Sequence, residues 1–228
     1  MKPVFVGTDK RDPLFHHVMR HSVERHTEDP EVIVRLLEIN KLPIDRCGAT
    51  EFTFSRFLCP WLCDYEGLSI FCDNDQVVVG DITELFEFCS QLEDWDVCVM
   101  KDQARFEWPS VIVFNNENLK HLTPEFIQDD TNSMYGFQWV DEERVKNFPM
   151  EWNFCVGYAD DDPHAKLIHW TQGPPYWPET KGFDVDKHWW TEYHDMLRCP
   201  PWIELHRGTK HFKPVMQRFL ANYGVKIG

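Results

Sequence analysis

Apolar positions along this chain come in short runs broken by polar turns, and their spacing alternates between strand-like and helix-like periods. Pro3-Val-Phe-Val-Gly7 is an apolar run that opens into Thr8-Asp9, which predicts a buried strand ending in a loop. Behind Asp12-Pro13, a cap followed by a first-turn proline, Leu14, Val18 and Met19 are spaced to face a core, so a helix is expected through about His26. Glu31 to Ile39 is a second strand-like run. About Phe52 to Leu62 reads as helical, and Gly67-Leu-Ser-Ile-Phe-Cys72 as a third strand. Asp81-Ile-Thr-Glu-Leu-Phe-Glu87 has the cap and acidic first turn of a short helix. Short strands are expected at Val97–Met100, Val111–Phe114 and Lys166–Trp170, and a C-terminal helix over about His211 to Tyr223.

Strand, helix, strand alternation in the first half predicts an α/β fold, with a mostly parallel central sheet flanked by helices. Such sheets bind ligands beyond the carboxyl ends of their strands. Thr8-Asp9 and Asp73-Asn74-Asp75 both fall at that kind of position. A chain of 228 residues fits one domain.

The formal net charge of −15 argues against a broad basic face for DNA or RNA. It leaves room for a nucleotide held locally through a metal ion that neutralises its phosphates. Ten Trp and seventeen Phe would supply platforms for a sugar ring or a base, although a bulky core accounts for them equally well. No run approaches the roughly 18 apolar residues of a membrane span, and Met1 to Asp9 runs straight into a strand pattern rather than a secretory signal. Eight scattered cysteines, several in strand-like runs, read as free thiols, so a cytoplasmic location is expected. Cys59-Pro-Trp-Leu-Cys63 lacks the second cysteine pair of a zinc knuckle. His16, His17, His21 and His26 read as a partly exposed helix face, because no third zinc ligand is evident.

The chemistry concentrates at Asp73-Asn74-Asp75, which lies between Leu68–Cys72 and Val77-Val-Val79. Two carboxylates at i and i+2, flanked by buried strand, are costly unless paired or bound to a cation. Oxygen ligands suit Mg²⁺ or Mn²⁺, ions that commonly keep places for substrate phosphates. A polar turn between two strands is the simpler reading, since Asp and Asn are turn formers.

The longer stretch Leu68-Ser-Ile-Phe-Cys-Asp-Asn-Asp-Gln-Val-Val-Val-Gly-Asp-Ile-Thr-Glu-Leu-Phe86 resembles the central signature of the family 8 glycosyltransferases, the glycogenin and lipopolysaccharide-galactosyltransferase group. Three other segments resemble that family in the same order: Val4-Phe-Val-Gly-Thr-Asp9, Thr53-Phe-Ser-Arg56-Phe-Leu, and Ile168-His169-Trp-Thr-Gln-Gly173-Pro-Pro-Tyr-Trp177. Phe114-Asn115-Asn116 and Pro149-Met-Glu-Trp-Asn153 are weaker echoes. The resemblance implies an A-type glycosyltransferase fold. It also implies a metal held by Asp73, Asp75 and His169, and donor contacts from Thr8, Asp9, Arg56, Asn74, Asn115, Gly173 and Trp177. On that basis residues 1–115 form the nucleotide-binding half, 116–180 the acceptor and metal-completing half, and 181–228 a C-terminal appendage.

Two departures stand out. Where the family places a phosphate-gripping Lys, two residues before the Trp, this chain has Pro175, which shifts that task to Arg56, Lys181 or Lys187. The family's Asp-Gln pair has no clear counterpart; Asp129, Asp130 and Gln138 are the candidates. The expected activity is transfer of a hexose from a UDP-sugar of the UDP-glucose or UDP-galactose class, with Mn²⁺ (or Mg²⁺) as cofactor and retention of configuration. The acceptor is a glycan, lipid or protein. Loss of the Lys favours, as the alternative, a catalytically weak protein that keeps nucleotide or glycan binding. A nucleotidyltransferase would need a glycine-rich basic loop, of which Gly7-Thr-Asp-Lys-Arg11 is a faint version.

Overall fold

A computed structural model describes residues 1–102, 105–158 and 164–197, with 210, 213 and 214 beyond them. The first half runs β1 (Lys2–Gly7), α1 (Pro13–His26), β2 (Val32–Leu37), α2 (Cys59–Leu62), β3 (Leu68–Cys72), β4 (Gln76–Val78) and α3 (Thr83–Ser90). It continues through β5 (Val97–Val99), β6 (Val111–Asn115), α4 (Pro124–Gln128), β7 (Val145–Asn147), β8 (Phe154–Cys155), β9 (Leu167–His169) and α5 (Asp186–Met196). Each strand foreseen from the apolar runs forms within a residue or two of its expected limits. The expected helix over 211–223 lies almost wholly outside the described residues.

A six-stranded sheet, in the order β2-β1-β3-β6-β5-β7, is the centre of the fold. Three of its five pairings are parallel, and β6 is the exception, antiparallel to both neighbours. The chain returns from β5 to β6 through a turn-rich segment with a 3₁₀ helix, Arg105–Ser110, and antiparallel neighbours need no crossover helix. Alternate residues of one strand point to opposite faces. Val4, Val6, Ile70, Cys72 and Val113 therefore pack on one side, and Phe5, Phe71, Val97, Ile112 and Phe114 on the other. Burying each such side chain is worth about 1.5–3 kcal/mol, so the sheet is a firm platform for the loops at its edges.

A smaller sheet, β4-β9-β8, sits beside it and packs Val77, Phe154, Ile168 and Trp170 against α5. Two expectations are revised. Asp12 flanks α1, but its carboxylate accepts no capping hydrogen bond from the first turn. His16 is buried rather than part of an exposed face, and His21 and His26 turn toward Glu192 on α5. For Trp170 and Trp189 the structure settles the balance between core and platform in favour of the core, Trp170 donating its indole N–H to Asp186 Oδ1 at 2.9 Å.

Candidate metal and nucleotide site

The β3–β4 turn begins where β3 leaves the central sheet and ends where β4 joins the small one. Asp73 donates its backbone N–H to the Ser110 carbonyl at 2.9 Å, and Gln76 Nε2 reaches the same oxygen at 3.2 Å. The turn is thus tied to the residue just before β6. On its other side, β4 pairs antiparallel with β9, with Gln76 opposite His169. Trp170 N–H then donates to the Asp75 carbonyl at 3.0 Å. Strand pairing, across more than ninety residues of sequence, is what sets His169 beside Asp75.

Asp73, Asp75 and His169 each offer one donor atom, and the three atoms lie within 4.8 Å of one another. His169 Nε2 is 3.2 Å from Asp75 Oδ1, and Arg56 Nη1 is 2.9 Å from Asp73 Oδ1. Neither of those carboxylate oxygens accepts a hydrogen bond, although both are buried. Buried acceptors balanced only by neighbouring charge fit a site whose occupant is a cation. Two carboxylates and an imidazole form a mixed oxygen and nitrogen set that suits Mn²⁺ somewhat better than Mg²⁺.

Burial pushes the Asp73 carboxyl up, to about 7; Arg56 opposes the shift and Asp75 adds to it. Burial disfavours charge on His169, yet the Asp75 carboxylate outweighs it and holds the imidazole well above its ordinary value. Glu107, also buried, is raised by desolvation. A divalent cation would compete with protons for these groups.

The turn opens onto a cleft of about 300 Å³. Asp9, Arg56, Asp73, Asn74, Asp75, Gly173 and Trp177, seven of the ten residues named from sequence, line it, and His169 lies within reach of Asp73 and Asp75 at its base. Arg56 is almost fully buried, its guanidinium 4.7 Å from the Phe71 ring and 5.5 Å from that of Tyr135. Nε donates to the Thr53 carbonyl and Nη1 to that of Pro109, while Nη2 takes no part in these contacts. Asp9 is held by the Arg11 guanidinium on both oxygens and accepts from the Glu51 N–H at 3.2 Å.

Gly173 has φ +124°, and a Cβ there would come within 2.6 Å of the Trp177 ring. Only glycine allows that turn with the indole laid against it. Gly7 plays a similar part: a Cβ would lie 2.4 Å from the Phe52 ring, which carries the segment leading to Arg56.

Two of the residues named from sequence are not brought to the cleft. Thr8 turns its hydroxyl away, donating to the Leu37 carbonyl at 2.7 Å. Asn115 pairs with Leu68, at the end of β3 opposite to Asp73, and gives its side-chain amide to the Trp95 carbonyl. Lys181 and Lys187 line a separate groove of about 1010 Å³ with Pro175, Tyr176 and Trp190, which contains none of the metal-ligand residues. Asp129, Asp130 and Gln138 are exposed and outside the cleft. Residues that sequence did not single out do reach it. Tyr135 lines one wall, and Lys210 brings its ammonium to 4.0 Å from Asp12 and 5.0 Å from the Trp177 ring. No local pattern marks either of them.

The chain shares its fold with several proteins of known structure. No family model matches it. Among curated proteins it is 29% identical, over 219 residues, to Protein CDI of Arabidopsis thaliana, covering 83% of this chain and 85% of that protein. Among solved structures it is similar to the bifunctional glycosyltransferase WbbM, with TM-score 0.62 and 18% identity over 95% of this chain and 51% of that one. It is similar to the glycosyltransferase GlyE of Streptococcus pneumoniae, with TM-score 0.62 and 15% identity over 87% of this chain and 63% of that one. The galactosyltransferase LgtC, solved with donor and acceptor sugar analogues, gives TM-score 0.62 and 13% identity over 90% of this chain and 99% of LgtC. The chain therefore spans about half the length of WbbM and under two thirds of GlyE. Its fold is the A-type glycosyltransferase fold, in agreement with the family 8 resemblance of its motifs.

Proposed function

We propose that this chain is a metal-dependent glycosyltransferase that moves a hexose from a UDP-sugar to a glycan, lipid or protein acceptor with retention of configuration. The observation that carries the reading is the convergence of Asp73, Asp75 and His169 at the base of a cleft walled by Arg56, Asn74, Gly173 and Trp177. Solved glycosyltransferases with the same fold support it. Mn²⁺ (or Mg²⁺), held by that triad, would supply Lewis-acid stabilisation of the charge that builds on the departing diphosphate. Arg56 pairs with Asp73 and lines the cleft, where it would face a diphosphate. Trp177, fixed against Gly173, offers a flat apolar wall. The acidic lining of Asp9, Asp12, Asp73 and Asp75 favours a ligand that arrives with a cation over a bare anion.

A second reading rests on one observation: Pro175 stands where the family places its phosphate-gripping Lys, and Lys181 and Lys187 lie in another groove. That favours nucleotide binding with weak turnover. Incubation with UDP-glucose and UDP-galactose, with and without Mn²⁺, separates the two. Mn²⁺-dependent appearance of free UDP supports the enzyme; UDP binding without any release supports the binding protein.

A further inference from the structure

His169 belongs to two possible donor sets. One is Asp73, Asp75 and His169; the other is Glu107, Cys155 and His169, all three of them buried. The ring faces the first set through Nε2, 3.2 Å from Asp75 Oδ1. It faces the second through Nδ1, 3.7 Å from Cys155 Sγ. A neutral imidazole has one lone pair to give, so its tautomer decides which set can close around a cation.

A chain of hydrogen bonds fixes that choice. It starts at the Glu107 backbone carbonyl, which can only accept, so the Ser110 hydroxyl must donate to it. Ser110 Oγ then accepts from Asn153 Nδ2 at 3.0 Å, which orients the amide and turns Asn153 Oδ1 toward His169. Oδ1 lies 3.0 Å from His169 Nδ1 and has no hydrogen to offer, so Nδ1 must carry one. Once the ring is neutral, as it must be to hold a cation, its lone pair is left on Nε2. Asn153 is fully buried, so no water can take its place.

We propose that Asn153, held by Ser110, is a positioning residue that locks His169 with its lone pair on Nε2 and so commits a divalent cation to Asp73, Asp75 and His169 rather than to Glu107, Cys155 and His169. The selectivity clause rests on the metal-dependent reading above; the tautomer clause does not. The consequence is chemical. Two carboxylates and an imidazole prefer Mn²⁺ or Mg²⁺, whereas a set containing a thiolate prefers Zn²⁺. Asn153 thereby tilts the site toward oxygen-loving ions that leave places for phosphate.

Two measurements test it. In metal-free protein labelled with ¹⁵N-histidine, at a pH high enough that His169 carries a single proton, Nδ1 should show the shift of a protonated nitrogen and Nε2 that of an unprotonated one; the reverse pattern overturns the lock. In Co²⁺-loaded protein, the wild type should lack a thiolate-to-cobalt charge-transfer band. Asn153→Leu should gain one that Cys155→Ser removes, and should bind Mn²⁺ about 10–100-fold more weakly. Asn153→Asp, which still accepts from Nδ1, should restore most of that affinity. A thiolate band in the wild type, or Asn153→Leu with unchanged Mn²⁺ affinity and no band, overturns the selectivity. Should Asn153→Leu fail to fold, Ser110→Ala carries the same test, because it removes the acceptor that orients the amide. The Nδ1-protonated, Nε2-unprotonated pattern in a protein that binds no divalent cation would refute the metal-dependent function and the selectivity with it, and would leave the tautomer lock standing.

Discussion

Among the described residues, two clusters of histidine and carboxylate are built on opposite principles. At the contact between α1 and α5, the buried Glu192 faces His21 at 2.9 Å, His26 at 3.0 Å and the Arg25 guanidinium, so that both its oxygens are satisfied. At the base of the cleft, Asp73 and Asp75, with Glu107 nearby, share one imidazole and one guanidinium, and two of the carboxylate oxygens accept no hydrogen bond. The first cluster has its charge and hydrogen bonds closed within the protein. The second has an excess of negative charge and open acceptors. Satisfaction of polar groups, more than residue type, separates a structural latch from a ligand site.

The comparison can be broken first at Asp75. Asp75→Asn should lower Mn²⁺ affinity by more than the roughly 10–100-fold of an outer-shell change. Because it relieves crowded charge, it should leave the denaturant midpoint nearly unaltered; titration calorimetry and urea unfolding check the two halves.

Next in size is the response to pH. Asp73 must lose its proton to hold a cation, and its carboxyl is raised to about 7. His169, held above its ordinary value, must lose a proton as well, so Mn²⁺ affinity should keep rising with pH through 7 and should fall by more than tenfold per unit below it. Glu192 behaves in the reverse sense. Burial resists its charge, but His21, His26 and Arg25 hold it below its ordinary value. Its stabilisation is fully present above the unfolded value and is lost only as pH falls through the lower folded one. Metal binding should fade on mild acidification while circular dichroism reports an intact fold.

A smaller effect is expected at Gly173. Gly173→Ala places a Cβ against Trp177 at φ +124°, a strain of about 1–3 kcal/mol. If the indole moves to relieve it, UDP affinity should drop about tenfold or less, with Mn²⁺ affinity retained. Smallest of all, on binding, is Glu192→Ala. It should leave Mn²⁺ and UDP affinities unchanged. It should cost about 1–3 kcal/mol of stability, less than the 3–5 of a sealed pair, because Arg25 is 40% exposed and can recover water.

Much of this contrast was legible in the sequence. Asp73 and Asp75 lie between two apolar runs that become β3 and β4, a placement an ordinary polar turn fits equally well, so only the longer motif around the triplet singled it out. His169 was legible only through the motif it shares with Gly173 and Trp177, since nothing local distinguishes it from a core histidine. Asn115 follows an apolar run, as Asp73 does, but strand direction decides which end faces the cleft. β6 runs antiparallel to β3, which sends Asn115 to the far end. Sequence periodicity carries no information on direction. Asn153 was visible as a weak echo, but its orientation depends on Ser110 and on the Glu107 carbonyl, contacts between segments more than forty residues apart. Tyr135 reaches the cleft from a loop, whose path no period predicts.

The most direct test of the central claim is titration of the protein with UDP in the presence and absence of Mn²⁺, repeated with Asp75→Asn. Binding that requires Mn²⁺ in the wild type and disappears in the variant is the predicted result. Binding that ignores the metal, or an Asp75→Asn protein that behaves as wild type, would contradict it.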